Sequence, residues 1–315
     1  MNKNNIILGV ETSCDETSVA LYIKDKVIDE ITTSSANVQA GFGGVVPEVA
    51  TRYHQNNLHK ICVEILERHN LTVKDLTHIA YTSCPGLPGC LHIANCFAQT
   101  LSNLTNAKLI PINHLYGHLF SPYINKEEEP KFPLLGLVIS GGHTTIYLAH
   151  SYEEIEILNQ TQDDAVGEVY DKVSRALGMG YPGGPKIDKL YDPKQATIHF
   201  LKNNFEPHLQ FSFSGIKTAV LNHINSLNLK KQLLDVVQIA SSFQKTIIDE
   251  VIRKLKYYIK KYNINAISLG GGVAANQYLR KEVTKLSLDH VDISELKYTG
   301  DQASMIVWYG AKLIG

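Results

Sequence analysis

The sequence lacks several features that would place it in a broad functional class. Its five cysteines are odd in number and form no C-x-x-C pair, which argues against a disulfide framework or a structural zinc site. Only five of its 30 basic residues are arginines, and the formal net charge of −1 excludes a strongly basic nucleic-acid binder. No run approaches the roughly 20 apolar residues of a membrane helix, and the first apolar run is too short for a signal peptide. We therefore expect a cytoplasmic protein without a membrane partner.

Strand and helix patterns alternate along the chain, as is typical of an α/β protein. A chain of 315 residues, 44% of them hydrophobic, can fill a core that is divided into two lobes. Residues 6–22 and 134–148 share one pattern, in which a small polar turn separates two strand-like runs. Each predicts a β-hairpin, and their repetition indicates either a duplicated fold or two ordinary hairpins in one sheet.

Helical patterns lie between and after these hairpins. Apolar spacing predicts helices over residues 57–70 and 91–101, and a four-residue repeat from Ile239 to Ile259 predicts a long helix. Its outer, solvated face is expected to carry Lys254, Lys256, Lys260 and Lys261. A short buried strand at residues 266–269 precedes a glycine turn and a helix, and an apolar helix is expected at residues 303–313.

His114 and His118 are four residues apart, so a helix would place their Cβ atoms about 6 Å apart on one face. That spacing suits two nitrogen ligands of one metal ion, although two partly exposed histidines would show it too. Leu115 stands where the H-E-x-x-H protease motif has its glutamate base, so protease chemistry of that type lacks its base. Asp301, just before the last helix, is either a third ligand or an ordinary helix N-cap.

Three glycine-rich turns, at residues 140–143, 182–185 and 270–272, are candidates for binding an anion. Backbone N–H groups in such turns can approach a phosphate or a carboxylate closely. Asn276, in the first turn of the helix after residues 270–272, could bond to a base or a ribose. The turns match neither the P-loop nor the dinucleotide pattern. Glycine turns are common, but three in one chain favour a nucleotide cleft of another kind.

Acidic residues accompany these turns. Asp15 and Glu16 lie in the first hairpin turn, where carboxylates suit proton transfer or metal binding but are also a normal turn composition. Glu168 and Asp171 can share one helix face, and Asp188 follows the glycine turn at residues 182–185. Acids in a first helical turn are often only partners of the helix dipole.

Nine collinear segments, which together span nearly the whole chain, carry a resemblance to one family. They are GVETSCDET (residues 9–17), GGVVPE (43–48), NHLYGH (113–118), SGGHT (140–144), DDAVGEVYDK (163–172), YPGGP (181–185), FSFSGIKT (211–218), GGGVAAN (270–276) and DQASM (301–305). The chain resembles the tRNA N6-adenosine threonylcarbamoyltransferase family, called TsaD in bacteria and once described as glycoproteases. Gly300 and Gln302 depart from the threonine and asparagine that usually flank the aspartate, which bears on the local geometry only.

The resemblance implies a duplicated, actin-like ATPase fold of the sugar kinase and Hsp70 superfamily, with two lobes and a central cleft. We expect an N-terminal lobe of residues 1–110, joined by the C-terminal helix at about residues 303–315. The remaining residues, 111–302, would form the C-terminal lobe.

The resemblance also implies an activity, which is transfer of a threonylcarbamoyl group from threonylcarbamoyl-AMP to the N6 amine of the adenosine just 3′ of the anticodon in tRNA. His114, His118 and Asp301 would be ligands of one divalent metal, Fe2+ in the bacterial family, with Zn2+ or Mg2+ as alternatives. Asp15 or Glu16 would orient or deprotonate the attacking amine. Bacterial members work with a TsaB-type paralogue and a TsaE-type ATPase, which we expect as partners. The family's substrate-binding positions match Val138, Ile139, Ser140, Gly141, Gly142, Asp171, Gly184, Asp188 and Asn276.

Three other functions fit parts of the pattern. A metalloprotease is suggested by the histidine spacing, and Leu115 argues against it. A sugar or acetate kinase of the same fold would phosphorylate a small molecule without tRNA. A non-catalytic partner module of this fold would be expected to lack the histidine pair.

Overall fold

The computed structural model describes residues 5–42, 44–201, 206 and 208–315, so Gly43 of the GGVVPE segment lies outside the described residues. Within them the strands form two five-stranded sheets. The strands are β1 (Ile6–Glu11), β2 (Glu16–Ile23), β3 (Lys26–Ser34), β4 (His78–Cys84), β5 (Lys108–Asn113), β6 (Leu134–Ile139), β7 (Thr144–Ala149), β8 (Ile155–Gln160), β9 (Ala266–Gly270) and β10 (His290–Ile293).

The two sheets have the same topology. In the first, β1 pairs with β2 in an antiparallel hairpin, β3 extends that side, and β4 and β5 add in parallel on the other. In the second, β6 and β7 form the hairpin, β8 extends it, and β9 and β10 add in parallel. Both predicted hairpins are confirmed. Because each heads a sheet of its own with the same strand order, the arrangement is that of a duplicated fold.

The predicted helices are also present. The last has the predicted bounds, 303–313, and the others have shifted ends. The helices α2 (Pro47–Arg68) and α3 (Pro88–Thr105) begin earlier than predicted, each with a proline in its first turn, where a missing N–H costs no helical hydrogen bond. Across the described residues, no helix combines the length and the apolarity needed to cross a bilayer. The α-helices are α1 (Ala36–Gln39), α2 (Pro47–Arg68), α3 (Pro88–Thr105), α4 (His114–Phe120), α5 (Val166–Ala176), α6 (Gly183–Leu190), α7 (Ser214–Leu229), α8 (Val236–Tyr262), α9 (Gln277–Thr284) and α10 (Ala303–Leu313).

The chain divides into two compact units. The first comprises the chain up to Glu129 together with Glu295–Gly315, and the second is Pro130–Ser294. These limits differ from the expected divisions after residues 110 and 302. The reason is that β5 continues its pairing with β4 to Asn113, and α4 then packs against α10. His114, His118 and Asp301 therefore belong to the first unit, and not to the C-terminal lobe in which we expected them.

The helix α10 is the central packing element of the first unit. Nine of its 11 residues are buried, on every side of the helix, and it packs against β1 and β2. A helix that is apolar all round is stable only when surrounded by protein. This packing fixes the position of the first residues of α10, and therefore also that of Asp301, two residues before the helix.

The prediction that Lys254 lies on a solvated face is wrong, whereas the other three lysines predicted there are exposed. Lys254 is 1% exposed, and its Nζ donates a hydrogen bond to the carbonyl oxygen of Leu209 at 2.5 Å. The ammonium also lies 5.2 Å from the ring centroid of Phe211, and burial lowers its pKa. The segment around Leu209 covers this part of α8, and helical periodicity does not reveal such a tertiary contact.

Candidate functional site

The histidine pair lies on α4, whose start is fixed by Asn113. The Oδ1 atom of Asn113 accepts hydrogen bonds from the backbone N–H groups of Leu115 (2.9 Å) and Tyr116 (3.4 Å), which otherwise have no helical partner. His114 and His118 then fall on one face, with ring centroids 4.6 Å apart and planes at 83°. The helical spacing predicted from the sequence is confirmed.

Asp301 faces the two imidazoles. Its Oδ1 lies 3.0 Å from Nε2 of His118 and 3.5 Å from Nε2 of His114. Asp301 is not the N-cap of α10, since Gln302 occupies that position and its side chain makes no capping hydrogen bond. Of the two roles considered for Asp301, the helix N-cap is therefore excluded.

Side chains from the first sheet cap α10 instead. The N–H of Ala303 donates to Oγ of Ser18 at 2.9 Å, and the N–H of Ser304 donates to Oε2 of Glu30 at 2.7 Å. These contacts satisfy two of the N–H groups that every helix start leaves open. The Asp301 carboxylate is therefore left to face the histidines.

Gly117 lets α4 and α10 approach each other. A Cβ at this position would lie 3.1 Å from Cδ1 of Ile306 and 3.2 Å from Cγ of Met305, both on α10. Those distances are tighter than ordinary van der Waals contact. The glycine between the two histidines therefore has a packing role of its own.

His114, His118 and Asp301 form a group that could hold a metal ion, with ligand atoms all within 4.8 Å of one another. The histidines are 5% and 0% exposed, so the alternative of two partly exposed histidines does not hold. Two imidazoles and one carboxylate are a donor set that suits Fe2+ and Zn2+.

The pKa values of the two histidines are shifted in opposite directions. Burial lowers the pKa of His118. Burial acts the same way on His114, but the carboxylates of Glu11 and Asp301 outweigh it and raise that pKa to about 9.

Glu11 is a buried member of this site that the sequence analysis missed. It is 0% exposed at the end of β1, and its Oε2 lies 3.0 Å from Nδ1 of His114. Its Oε1 accepts the N–H of Ser13 at 2.5 Å, and the hydroxyl of Thr82 donates to Oε2. Burial raises the pKa of Glu11, but His114 and the hydrogen bonds outweigh it, so the pKa is lowered. The sequence feature that could have revealed Glu11 is an acidic residue at the end of an otherwise apolar strand.

Asp15 lies in the turn between β1 and β2, as predicted, whereas Glu16 is the first residue of β2. The turn is held from outside by His54 on α2, whose Nε2 donates to the carbonyl oxygen of Cys14 at 3.0 Å while Nδ1 accepts from the hydroxyl of Thr17 at 2.8 Å. His54 is fully buried and was also missed. Burial, followed by the charges of Asp301 and Asp15, raises the pKa of Glu16 to about 10. The acidic turn and the histidine–aspartate group thus interact electrostatically within the first unit.

The glycine turn after β6 belongs to the second unit. Val138 and Ile139 are fully buried strand residues, so only their backbone groups could reach a ligand. Ser140 closes the turn, because its N–H donates to the carbonyl oxygen of His143 at 2.8 Å. A Cβ at Gly141 or Gly142 would meet no atom within 4 Å. The turn is therefore open on the side of its glycines, as an anion-binding turn requires.

The glycines predicted in a turn at residues 182–185 are the first two residues of α6, and one of them is packed and the other open. A Cβ at Gly183 would lie 2.5 Å from the carbonyl oxygen of Tyr170 and 2.6 Å from Cβ of Ser174, so α5 leaves room for no other residue. The N–H of Gly183 also donates to Oδ1 of Asp171 at 2.6 Å, and burial raises the pKa of that carboxyl. Gly184, the predicted substrate-binding position, has nothing within 4 Å of its Cβ direction.

Asp188 and Asn276 are joined by Gln244 of α8, a fully buried residue that the sequence analysis missed. Nε2 of Gln244 donates to Oδ1 of Asp188 at 3.0 Å, and Oε1 accepts from Nδ2 of Asn276 at 2.9 Å. Asn276 is the N-cap of α9, and not a first-turn residue as expected, because its Oδ1 accepts the N–H of Leu279 at 2.8 Å. The Asn276 amide is thus held in place on both sides.

The structure therefore gathers the predicted residues into two groups. The metal-ligand candidates and the acidic turn lie in the first unit. All nine predicted substrate-binding positions lie in the second unit, at the end of β6 and in the turn after it, within α5 and α6, and at the N-cap of α9.

Solved structures share the fold at low sequence identity. Full-length HypF, in its phosphate- and nucleotide-bound form, aligns with a TM-score of 0.64 at 14% identity over 100% of this chain and 56% of HypF. Component A of (R)-2-hydroxyglutaryl-CoA dehydratase from Acidaminococcus fermentans gives a TM-score of 0.56 at 12% identity, over 98% of this chain and 99% of its own. Both have the actin-like ATPase fold, so the predicted fold class is confirmed.

Sequence comparison is more specific. The model for TsaD, tRNA N6-adenosine threonylcarbamoyltransferase, matches residues 26–308. The tRNA N6-adenosine threonylcarbamoyltransferase of Ureaplasma parvum serovar 3 is 51% identical over 100% of this chain and 97% of its own. The protein of that name from Listeria welshimeri serovar 6b is 41% identical over 98% of this chain and 92% of its own. The chain therefore belongs to the tRNA N6-adenosine threonylcarbamoyltransferase family.

Proposed function

We propose that this protein transfers the threonylcarbamoyl group of threonylcarbamoyl-AMP to the N6 amine of the adenosine just 3′ of the anticodon, in tRNAs that read codons beginning with adenine. The products are N6-threonylcarbamoyladenosine in tRNA and AMP. Family membership over the full chain supports this reaction. The observation that carries it is the group formed by the buried His114 and His118 with the partly buried Asp301, beside the acidic turn.

The three ligand candidates would hold one Fe2+ ion. Two histidines with one carboxylate are the set typical of Fe2+ sites with open coordination positions. Zn2+ accepts the same ligands, whereas Mg2+ prefers oxygen ligands alone, which makes it the weakest candidate. When bound, the metal would supply a positive charge that polarises the carbamoyl carbonyl or neutralises the phosphate.

The residues of the second unit would hold the adenylate. Backbone N–H groups of the open turn at Gly141 and Gly142 suit a phosphate, and Ser140, whose own N–H is bonded to His143, would offer its hydroxyl. Gly184 is open to a ligand, and the carboxylates of Asp171 and Asp188 are oriented by hydrogen bonds from the protein. Val138 and Ile139 would contribute backbone groups only, and Asn276 an amide that Gln244 and Leu279 already orient.

The chemical step needs little from the protein besides positioning, because the mixed anhydride is already activated. The N6 nitrogen forms a bond to the carbamoyl carbon, the bond from that carbon to the phosphate oxygen breaks, and AMP leaves with the electron pair. Asp15 or Glu16 would orient the amine. The proton that the amine loses would pass to Asp15, because the raised pKa of Glu16 keeps that carboxyl protonated near neutral pH. The target base lies in an unpaired loop, so its extrusion costs less than extrusion from a duplex.

The expected partners follow from the family. We propose that the protein acts in the cytoplasm on tRNA, with a TsaB-type paralogue and a TsaE-type ATPase. The near-neutral charge of the chain supports a need for partners, because it supplies little of the electrostatic affinity that tRNA binding requires.

A metalloprotease is the less favoured alternative, because Leu115 on α4 cannot serve as the base that the zinc protease motif requires. A small-molecule kinase of this fold would transfer phosphate from ATP in the absence of tRNA, which a direct assay would detect. A non-catalytic module is disfavoured by the buried histidine–aspartate group.

The test is a transfer assay with preformed threonylcarbamoyl-AMP, purified tRNA and the partner proteins. The double variant His114→Ala, His118→Ala should form no modified nucleoside and bind no metal. The variant His150→Ala provides a matched control, since this histidine is 43% exposed in the second unit and should transfer like the wild type. Normal transfer by the double variant would refute the role of the metal.

A further inference from the structure

We infer that Glu11 is a positioning residue of the metal site, which holds the proton of His114 on Nδ1 so that Nε2 is free to bind the metal. The inference rests on the metal site of the proposed function. The geometry that carries it is the short contact between a fully buried carboxylate and the buried ring nitrogen that points away from Asp301.

The two nitrogens of His114 have different surroundings. Nε2 lies 3.5 Å from Oδ1 of Asp301, the oxygen that also contacts Nε2 of His118 at 3.0 Å. Nδ1 lies 3.0 Å from Oε2 of Glu11 and 3.2 Å from Oγ of Ser13. The ligand atoms therefore converge on one side of the ring, while acceptors occupy the other. A metal-binding histidine commonly donates its second N–H to a carboxylate, which fixes the ring and its tautomer.

Glu11 itself is held too firmly to serve as a mobile ligand. The N–H of Ser13 donates to its Oε1 at 2.5 Å, and the hydroxyl of Thr82 and the ring of His114 occupy Oε2. A backbone N–H cannot reverse its role, so Oε1 must remain an acceptor. The carboxylate thus has one orientation, and that orientation presents an acceptor to Nδ1.

The substitution Glu11→Gln is a specific test, because glutamine has the same shape as glutamate and differs only in charge and hydrogen bonding. The amide oxygen must take the Oε1 position to accept the N–H of Ser13, so the amide NH2 group takes the Oε2 position. The hydroxyl of Thr82 can rotate and accept from it, but Nδ1 of His114 would then face a donor. A metal on Nε2 requires a proton on Nδ1, so donor would face donor in the metal-bound state. Only the uncharged Ser13 hydroxyl would remain as an acceptor.

Binding of Zn2+ to the metal-free, full-length chain measures the effect without any activity assay. We expect the wild type to bind one Zn2+ in competition with a chelating dye, and Glu11→Gln to bind it about 10- to 100-fold more weakly. Thr82→Val removes a donor to Glu11 but keeps the carboxylate that faces Nδ1 of His114, so it should weaken Zn2+ binding less than Glu11→Gln does. The control is Glu250→Gln, which alters a buried carboxylate of the second unit and should bind Zn2+ like the wild type.

The outcomes separate this inference from the metal site itself. The positioning role of Glu11 is overturned if Glu11→Gln binds Zn2+ as tightly as the wild type. It is also overturned if Glu11→Gln and Thr82→Val weaken Zn2+ binding equally. Either result leaves the proposed metal site unaffected. Wild-type affinity in His118→Ala would overturn both. A further measurement uses the wild type and does not depend on the folding of a variant. In the Zn2+-loaded wild type, the Nδ1 proton of His114 should give a slowly exchanging NMR signal, and its absence would also overturn the inference.

Discussion

Replacing Gly183 with alanine should destabilise the second unit, whereas the same change at Gly184 should not. The Cβ added at Gly183 would lie 2.5 Å from the Tyr170 carbonyl oxygen and 2.8 Å from Cα of Asp171, and backbone atoms of a packed helix cannot move aside cheaply. Overpacking of this kind costs about 1–3 kcal/mol. For a domain of 150–250 residues, 1 kcal/mol corresponds to roughly 2–4 °C, so the melting temperature should fall by about 2–12 °C.

Gly184→Ala is the matched control, since its Cβ would meet nothing within 4 Å and alanine is the better helix former. We expect its melting temperature to equal or exceed that of the wild type. Its affinity for AMP should fall, because the new methyl group occupies space that the proposed adenylate would approach. Differential scanning calorimetry and AMP titration calorimetry measure the two effects. Equal melting temperatures for the two variants would refute the packing argument, and unchanged AMP affinity in Gly184→Ala would refute the ligand-binding role of that position.

Two further substitutions test hydrogen-bond networks of the second unit. Gln244→Met should lower the free energy of unfolding, measured in urea, by about 1–3 kcal/mol and should weaken AMP binding. The reason is that the side chains of Asp188 and Asn276 lose their buried partner. Unchanged stability would contradict this. Asp163→Ala should cost about 1 kcal/mol, because Asp163 accepts the N–H of Phe213 at 2.8 Å and two serine hydroxyls at the start of α7. Burial alone would raise the pKa of Asp163, but these hydrogen bonds outweigh burial, so the pKa is lowered. The contribution of Asp163 to the free energy of unfolding is therefore complete above the ordinary aspartate pKa and is lost as the pH falls through the lowered pKa. Stability curves of wild type and variant should therefore converge in acid, and a constant difference would contradict the assignment.

Much of the fold could be predicted because it follows from local periodicity. The apolar repeat of α8 and the polar turns of both hairpins are visible in the sequence, and the structure has these elements where they were expected. The limits of the two units were not predictable in this way. They depend on the pairing of β5 with β4 and on the packing of α4 against α10, which join parts of the chain that lie far apart in sequence.

The site was predictable to the extent that spacing reveals it. Spacing placed His114 and His118 on one helix face, but it could not choose between a ligand and an N-cap for Asp301. Ser18 and Glu30, on strands near the other end of the chain, bond to the start of α10 and thereby argue against the N-cap role, while the ligand role is a proposal.

Glu11, His54 and Gln244 were missed for a related reason. Each is a polar residue within a strand or helix whose partners come from other elements, so its role depends on contacts that only the folded chain forms. A buried polar residue inside an apolar pattern is the one sequence feature that could have identified them.

The most direct test of the central claim is the nucleoside content of tRNA from cells depleted of this protein. Bulk tRNA would be digested to nucleosides and quantified by liquid chromatography and mass spectrometry, with re-expression of the wild type and of the His114→Ala, His118→Ala variant as controls. N6-threonylcarbamoyladenosine should fall on depletion, return with the wild type, and not return with the variant. An unchanged level of this nucleoside after depletion would contradict the proposed function.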